Sequence, residues 1–333
     1  MRLLILGGTI FLGRALAECA LERGHAATLF HRGKHNPELF PEVERILGDR
    51  NADLDRLDGR TWDAVIDTCG YFPRQVAASA QRLAKACGHY TFVSSVSVYA
   101  SFAEPGMDES GAVGTIEDAA TEEITGETYG PLKALCEQAA EAAMPGRVFN
   151  VRPGLIVGPH DPSDRFTYWP VRIARGGDVL APDRPGVLVQ IIDARDLAQW
   201  MVHVAEDGLT GVYNATGPAG PLTMGEVLDS CIRIAESDAR LRWAPPSFLA
   251  EQEVAAWSEM PLWVPDSEGA GFSAIDCSKA IRDGLTFRPV DTIVRDTLDW
   301  ARAWPPDRTL RAGIAPDKEA AVLAALAGTT ALS

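Results

Sequence analysis

Apolar and polar positions in the first half of the chain fall into alternating blocks. Arg2–Leu6, Ala27–His31, Glu44–Leu47, Ala64–Asp67 and Tyr90–Ser94 are short apolar runs bounded by Gly, Asp or Ser, and each predicts a strand. Longer segments between them, Phe11–Glu22, Pro73–Ala86 and roughly Thr128–Ala143, predict helices. This β-α-β-α rhythm predicts an α/β fold with a doubly wound parallel sheet and helices on both faces. A strand at Val148–Arg152 follows, then a strand at Val187–Ile192, a helix at Ala194–Ala205 and a strand at Gly211–Asn214. From Gly217 onward Trp and Pro become denser and the alternation stops. The expected division is a sheet domain of residues 1–158 and 187–216, and a smaller, partly helical C-terminal substrate lobe of residues 159–186 and 217–333. Pro305–Pro306 is expected to end the compact part, with Lys318–Ala327 as one last helix over the body.

Composition narrows the function. A chain of 333 residues has room for one large α/β unit and an appended region. A net charge of -15 repels phosphate backbones and counts against nucleic-acid binding, so an anionic cofactor would need local positive groups or helix N-termini. Six scattered cysteines without a C-x-x-C pair argue against a disulfide framework and a zinc site. The six histidines show no ligand spacing, so no metal is expected. The apolar run Leu3–Leu6 is too short for a signal peptide or a membrane span, and the expectation is a soluble, cytoplasmic protein.

Candidate chemistry begins where the first strand ends. Gly7-Gly8-Thr9-Ile10-Phe11-Leu12-Gly13 has the form of the tight glycine turn of a dinucleotide-binding (Rossmann) fold, which aims a helix N-terminus at a pyrophosphate. Gly7 would make the turn and Gly13 would let helix pack on strand, while Ile10 occupies a position that is glycine in the fuller pattern. An acid about 20 residues on usually holds the ribose 2′-hydroxyl of NAD. Here the second strand ends Phe30-His31-Arg32-Gly33-Lys34, so Arg32 and Lys34 are expected to clamp a 2′-phosphate, favouring NADP(H) over NAD(H). Asp49 and Arg50 are expected on the adenine side, and Cys69-Gly70 along the cofactor, with Cys69 a packing residue rather than a nucleophile.

Two further pieces supply proton chemistry. Tyr129 and Lys133 are four residues apart and share a helix face. A free tyrosine is a poor acid or base at neutral pH, and a neighbouring ammonium is expected to lower its pKa. Pro131 places the start of that helix at Thr128–Tyr129. Ser94 and Ser95 end an apolar strand, where a hydroxyl can bond a substrate oxygen as charge shifts onto it, or simply cap a turn. Phe166, Tyr168, Trp169, Trp257 and Trp263 are candidates for an aromatic substrate wall, and equally for the core of the small lobe.

Together with Ser94–Tyr99, Arg152–Pro159, Asp193–Ala198 and Tyr213–Thr216, these motifs resemble the extended short-chain dehydrogenase/reductase superfamily, of the NAD-dependent epimerase/dehydratase type, over nearly the whole chain. The resemblance implies a Ser95/Tyr129/Lys133 triad, a nicotinamide contact from the backbone near Pro153, and a homodimer paired through the Pro73–Ala86 and Tyr129 helices. Ile10 and the Gly-Gly-Thr-x-Phe-Leu-Gly wording look like the branch of isoflavone-reductase-like and chloroplast stem-loop-binding proteins. Val96-Ser97 stands where related sugar dehydratases carry Asp-Glu, and Gln190 where many nucleotide-sugar enzymes carry an Arg for the diphosphate. The leading expectation is an NADP(H)-dependent reductase or dehydrogenase of a small ketone or alcohol. The alternatives are an NAD-dependent sugar or nucleotide-sugar epimerase, whose residues would be the same, and a non-catalytic dinucleotide sensor or RNA-binding relative.

Overall fold

The computed structural model describes residues 1–305 and 308–330. Its strands are β1 (Arg2–Leu6), β2 (Ala26–His31), β3 (Glu44–Leu47), β4 (Trp62–Asp67), β5 (Cys87–Val93), β6 (Val148–Pro153), β7 (Leu155–Val157), β8 (Asp178–Pro182), β9 (Ile191–Asp193), β10 (Gly211–Ala215) and β11 (Arg240–Ala244). Its helices are α1 (Phe11–Glu22), α2 (Pro73–Leu83), α3 (Tyr129–Ala143), α4 (Tyr168–Ala174), α5 (Ala194–Asp207), α6 (Met224–Ala235), α7 (Pro246–Glu251), α8 (Asp266–Gly269), α9 (Ser278–Arg282), α10 (Val290–Arg302) and α11 (Pro316–Thr330).

Seven strands form one parallel sheet in the order β10-β6-β5-β4-β1-β2-β3. β1 is central, and Leu3 to Leu6 are shielded on both faces, which is why this strand reads as an unbroken apolar run. One face is covered by α1 and α5 around Leu16, Leu29, Phe149 and Met201. The other is covered by α2 and α3, side by side, around Val76, Tyr90, Phe92 and Cys136. A second core, built on Phe166, Trp169, Leu180, Leu228 and Val294, joins α4, α6, α10 and the parallel pair β8–β11.

The expected elements are present with shifted ends. β5 starts at Cys87 rather than Tyr90, and α2 stops at Leu83 rather than Ala86. The expected strand over Val187–Ile192 shrinks to β9, which pairs with β7. Its first half instead meets the loop before α6: the Val189 amide donates to the Leu222 carbonyl at 2.9 Å, and the Met224 amide to the Val187 carbonyl at 2.8 Å. Alternation also continues past Gly217, through α6 and β11.

The compact part does not end at Pro305–Pro306, of which Pro306 lies outside the described residues. Arg308 donates to the buried Asp164 carboxylate at 2.8 Å, and Ile314 and Val322 enter the second core. α11 is longer than the expected Lys318–Ala327. Its Glu319 carboxylate accepts from Arg172 Nε at 2.6 Å and from the Leu180 amide at 3.1 Å, which ties it to β8.

Candidate active site

In a doubly wound sheet the ligand crevice opens at the carboxyl ends of the strands, where successive connections leave on opposite faces. Here that point lies between β1 and β4. Gly7 and Gly8 turn the chain out of β1 with φ of 115° and 107°, a region that L side chains avoid. A Cβ on Gly7 would sit 2.5 Å from Thr68 Oγ1, so the turns after β1 and β4 touch. A Cβ on Gly13 would sit 2.6 Å from the Gly8 nitrogen, so the glycine brings α1 down onto the turn. α1 has no side-chain cap at Ile10 and no acid in its first turn, so its leading N–H groups and positive end are left for an anion. This cradle fits a dinucleotide pyrophosphate. Thr9 and Leu12 are buried, leaving the backbone of this stretch as its contribution, while Ile10 is exposed and Phe11 half-buried.

Further along the crevice, Arg32 and Lys34 are exposed beyond β2. The Asp49 carboxyl lies close enough to feel both charges. It is held below its ordinary range chiefly by the backbone and side-chain N–H groups of Asn51, with Arg32 and Lys34 adding. An acid therefore stands beside the two cations after all, delivered by β3 rather than β2.

Arg50 departs from expectation. Its guanidinium turns inward and grips the fully buried Asp67 with two 2.8 Å bonds, then reaches Ser79 Oγ at 2.9 Å and the Gln75 carbonyl at 3.1 Å. Tyr90 adds a hydroxyl donor to Asp67 at 2.8 Å. Arg50 is thus part of the floor under the crevice, not an adenine contact. Cys69 lies against that floor with its thiol pushed up to about 11 by burial, in keeping with a packing role. Gly70 is pressed against Val76 and Phe92, at 2.5 and 2.8 Å from where a Cβ would be. Pro153 closes β6 beside Ala215 of β10.

The triad residues lie at the end of β5 and the start of α3. Ser95 caps the single 3-10 turn at Val96–Val98, its hydroxyl accepting from the Ser97 amide at 3.1 Å. Ser94 is buried, and its hydroxyl has no partner among the described residues. Tyr129 opens α3. The next residue, Gly130, has no room for a side chain, because a Cβ there would lie 2.0 Å from the Ser97 carbonyl oxygen. That contact seats the helix start on the serine turn.

Burial pushes the Tyr129 phenol up, Tyr71 adds to this, and the Ser95 hydroxyl and the Arg165 guanidinium oppose it. Lys133, one turn on, is buried and donates to the Gly70 and Val93 carbonyls at 2.8 and 2.6 Å, with Nζ 4.2 Å from the Phe92 ring centre. Burial brings its ammonium down to about 8. The expected lowering of the Tyr129 pKa by Lys133 is not the arrangement found: two of the three ammonium N–H groups go to backbone carbonyls, and the phenol stays above its ordinary value.

Several participants escaped sequence reasoning. Tyr71, 45% exposed, stands over the site with its ring centre 5.6 Å from Lys133 Nζ. Its signal is an aromatic residue directly after the strand-end Cys69-Gly70. Asp67 was legible as an acid closing an apolar strand. Of the expected aromatic wall, Phe166, Tyr168, Trp169 and Trp263 are core residues, and Trp169 donates its indole N–H to the Pro261 carbonyl at 2.9 Å. Trp257 alone of the five remains half-exposed. Gln190 is used as a clamp, both ends of its amide bonding the Ile275 backbone at 2.9 Å. Among the described residues no cluster of His, Cys, Asp or Glu gathers as a metal site, and no helix is long and apolar enough to cross a membrane.

The same architecture occurs in solved enzymes of low identity. The Bordetella bronchiseptica enzyme WbmH in complex with NAD+ superposes with a TM-score of 0.67 at 16% identity, over 91% of this chain and 99% of that one. The UDP-Glc/GlcNAc 4-epimerase of Campylobacter jejuni gives 0.68 at 13%, over 91% and 99%. The UDP-glucose 4-epimerase of Bifidobacterium longum, in complex with NAD+ and UDP, gives 0.64 at 19%, over 91% and 98%. These likenesses speak for the fold. No curated protein matches the sequence. The model of the NAD dependent epimerase/dehydratase family matches residues 3–216, from the first strand through β10. Glycine turn, serine turn and Tyr/Lys helix all lie inside that match, and the chain belongs to the NAD dependent epimerase/dehydratase family.

Proposed function

We propose that the protein epimerises a carbinol carbon of a small sugar-like substrate and keeps its nicotinamide cofactor through the cycle. The observation that carries this reading is the seating of Tyr129 on the Ser95 turn by Gly130, in a chain whose first strand turns into an anion cradle. When bound, a nicotinamide dinucleotide supplies a reversible two-electron oxidation of that carbon. Gly7, Gly13 and the α1 N-terminus would hold its pyrophosphate, Asp49 with Arg32 and Lys34 its adenosine end, and Lys133 and the backbone at Pro153 its nicotinamide end. Ser95 donates a hydrogen bond to the substrate oxygen, and Tyr129 takes the proton from that oxygen and returns it. Burial favours the protonated phenol of Tyr129, and the Ser95 hydroxyl and the Arg165 guanidinium are the groups that oppose it. Residues 159–186 and 217–333 serve as the substrate lobe, and α2 and α3 as the pairing face of a homodimer.

The test is product analysis with the full chain and a panel of sugars and sugar nucleotides. Interconversion of epimers without net nicotinamide turnover is expected, with a loss of about 10²–10⁴ in rate for Tyr129→Phe. Absence of interconversion with every substrate would overturn the reading. A second reading, net reduction of a small ketone with NADP(H), is favoured by one observation: two exposed cations, Arg32 and Lys34, face a single carboxylate at the adenosine end. Stoichiometric NADPH consumption in the same assays would select it.

A further inference from the structure

The loop that follows β7 holds a cation with no acid partner among the described residues. Arg165 lies in the loop between β7 and α4, half-buried, with its guanidinium carbon 5.2 Å from the Trp257 ring centre. The acids nearest to it in sequence are already engaged. Asp164 accepts from Arg308 at 2.8 Å, and Asp161 accepts from the Ser163 amide and hydroxyl at 2.8 and 2.9 Å. Among the described residues no carboxylate forms an ion pair with Arg165. Arg50, Arg152, Arg172, Arg195 and Arg288, by contrast, are each locked to an acid.

Trp257 is the end of a row of rings. It meets Phe272 edge-on at 5.3 Å, Phe272 meets Phe102 at 5.1 Å, and Phe102 meets Tyr99 at 6.4 Å. Tyr99 directly follows the turn that Ser95 caps. The row is held by backbone: the Gly271 amide donates to the Phe102 carbonyl at 2.8 Å, and a Cβ on Gly271 would lie 2.1 Å from the Glu104 carbonyl oxygen. Phe102, Trp257 and Phe272 are all partly exposed, unlike the other aromatics of the small lobe discussed above. Arg165 is also a cation that opposes the burial raising the Tyr129 phenol.

We propose that Arg165 and the Phe102–Phe272–Trp257 row form a subsite for a negatively charged substituent of the substrate, a carboxylate or phosphoryl group, whose carbon skeleton rests against the rings. A guanidinium pairs two N–H groups with either oxyanion, and its cation–π contact with the Trp257 ring holds it in place for that purpose. The inference rests on the reading of Tyr129 and Ser95 as the reacting centre, and it names the class of substrate that centre receives.

The experiment is calorimetric titration of the cofactor-loaded full chain with glucose, glucuronate and glucose 1-phosphate. At least one anion is expected to bind tenfold or more tightly than glucose, glucuronate marking a carboxylate site and glucose 1-phosphate a phosphoryl site. Arg165→Met is expected to abolish that preference, and Arg165→Lys to keep part of it, since a point charge replaces the fork. Equal binding of glucose and both anions, an unchanged preference in Arg165→Met, or no binding of any of the three would overturn the proposal. Because binding needs no turnover, an anion preference in an enzyme that epimerises nothing would leave the subsite standing and remove the reaction.

Discussion

Asp67 and Arg50 show how much one buried residue can decide. Burial alone would raise the Asp67 carboxyl, but Arg50, the Tyr90 hydroxyl and the Cys69 amide hold it below its ordinary value. A carboxyl depressed in the folded state contributes stability that is present above its unfolded pKa and fades as pH falls through the folded one. Asp67→Asn removes the charge while leaving Arg50 buried, so a loss of about 3–5 kcal/mol is expected, read from denaturant midpoints. An Arg50→Met, Asp67→Leu double variant is expected to lose less, since no charge is then left unpaired. A result in which Asp67→Asn unfolds at the wild-type midpoint would show that the pair is dispensable. The misreading of Arg50 has the same root. It follows Asp49 in the chain, but where the backbone leaves β3 one side chain faces the crevice and the next faces the core, and only the register of the fold decides which.

At the scale of the element, α3 carries Tyr129 and Lys133, the pair proposed to act in the reaction, and its start is set by a glycine. Gly130 approaches the Ser97 carbonyl so closely that any side chain must displace the helix start, and Tyr129 with it. Gly130→Ala is therefore expected to cut turnover by about 10²-fold, the usual cost of moving a reacting group by about 1 Å. Gly126→Ala, where a Cβ meets nothing within 4 Å, is the control and is expected to be silent. Equal activity of the two variants would disprove the positioning role. The helix itself was legible, because Pro131 belongs in a first turn and Tyr129 and Lys133 share a face. The electrostatics were not. Lys133 is near enough in sequence to tune Tyr129, yet the Val93 carbonyl at the end of β5 and the Gly70 carbonyl in the loop after β4 hold its ammonium.

For the whole molecule, the second core is closed by the C-terminal helix. Glu319 of α11 accepts from Arg172 of α4 and from the Leu180 amide of β8, joining three elements far apart in sequence. Glu319→Gln keeps one acceptor but removes the charge. The expected loss is on the order of 2 kcal/mol, below that of a wholly buried pair because Arg172 also bonds the Gly176 and Asp178 carbonyls. An unchanged thermal midpoint would show that α11 is only an appendage, as its place after Pro305–Pro306 suggests on paper.

The pattern of apolar runs was enough to determine the parallel sheet, its helices and the order of the three motifs, because a strand buried on both faces and a turn needing positive φ are written in local composition. What only the tertiary structure decided is which side chains meet. Asp49 beside Arg32 and Lys34, Arg50 turned under the crevice, Tyr71 over Lys133, and Arg165 against Trp257 are all long-range placements. They follow from strand order and from how the small lobe folds back, and no spacing along the chain encodes either.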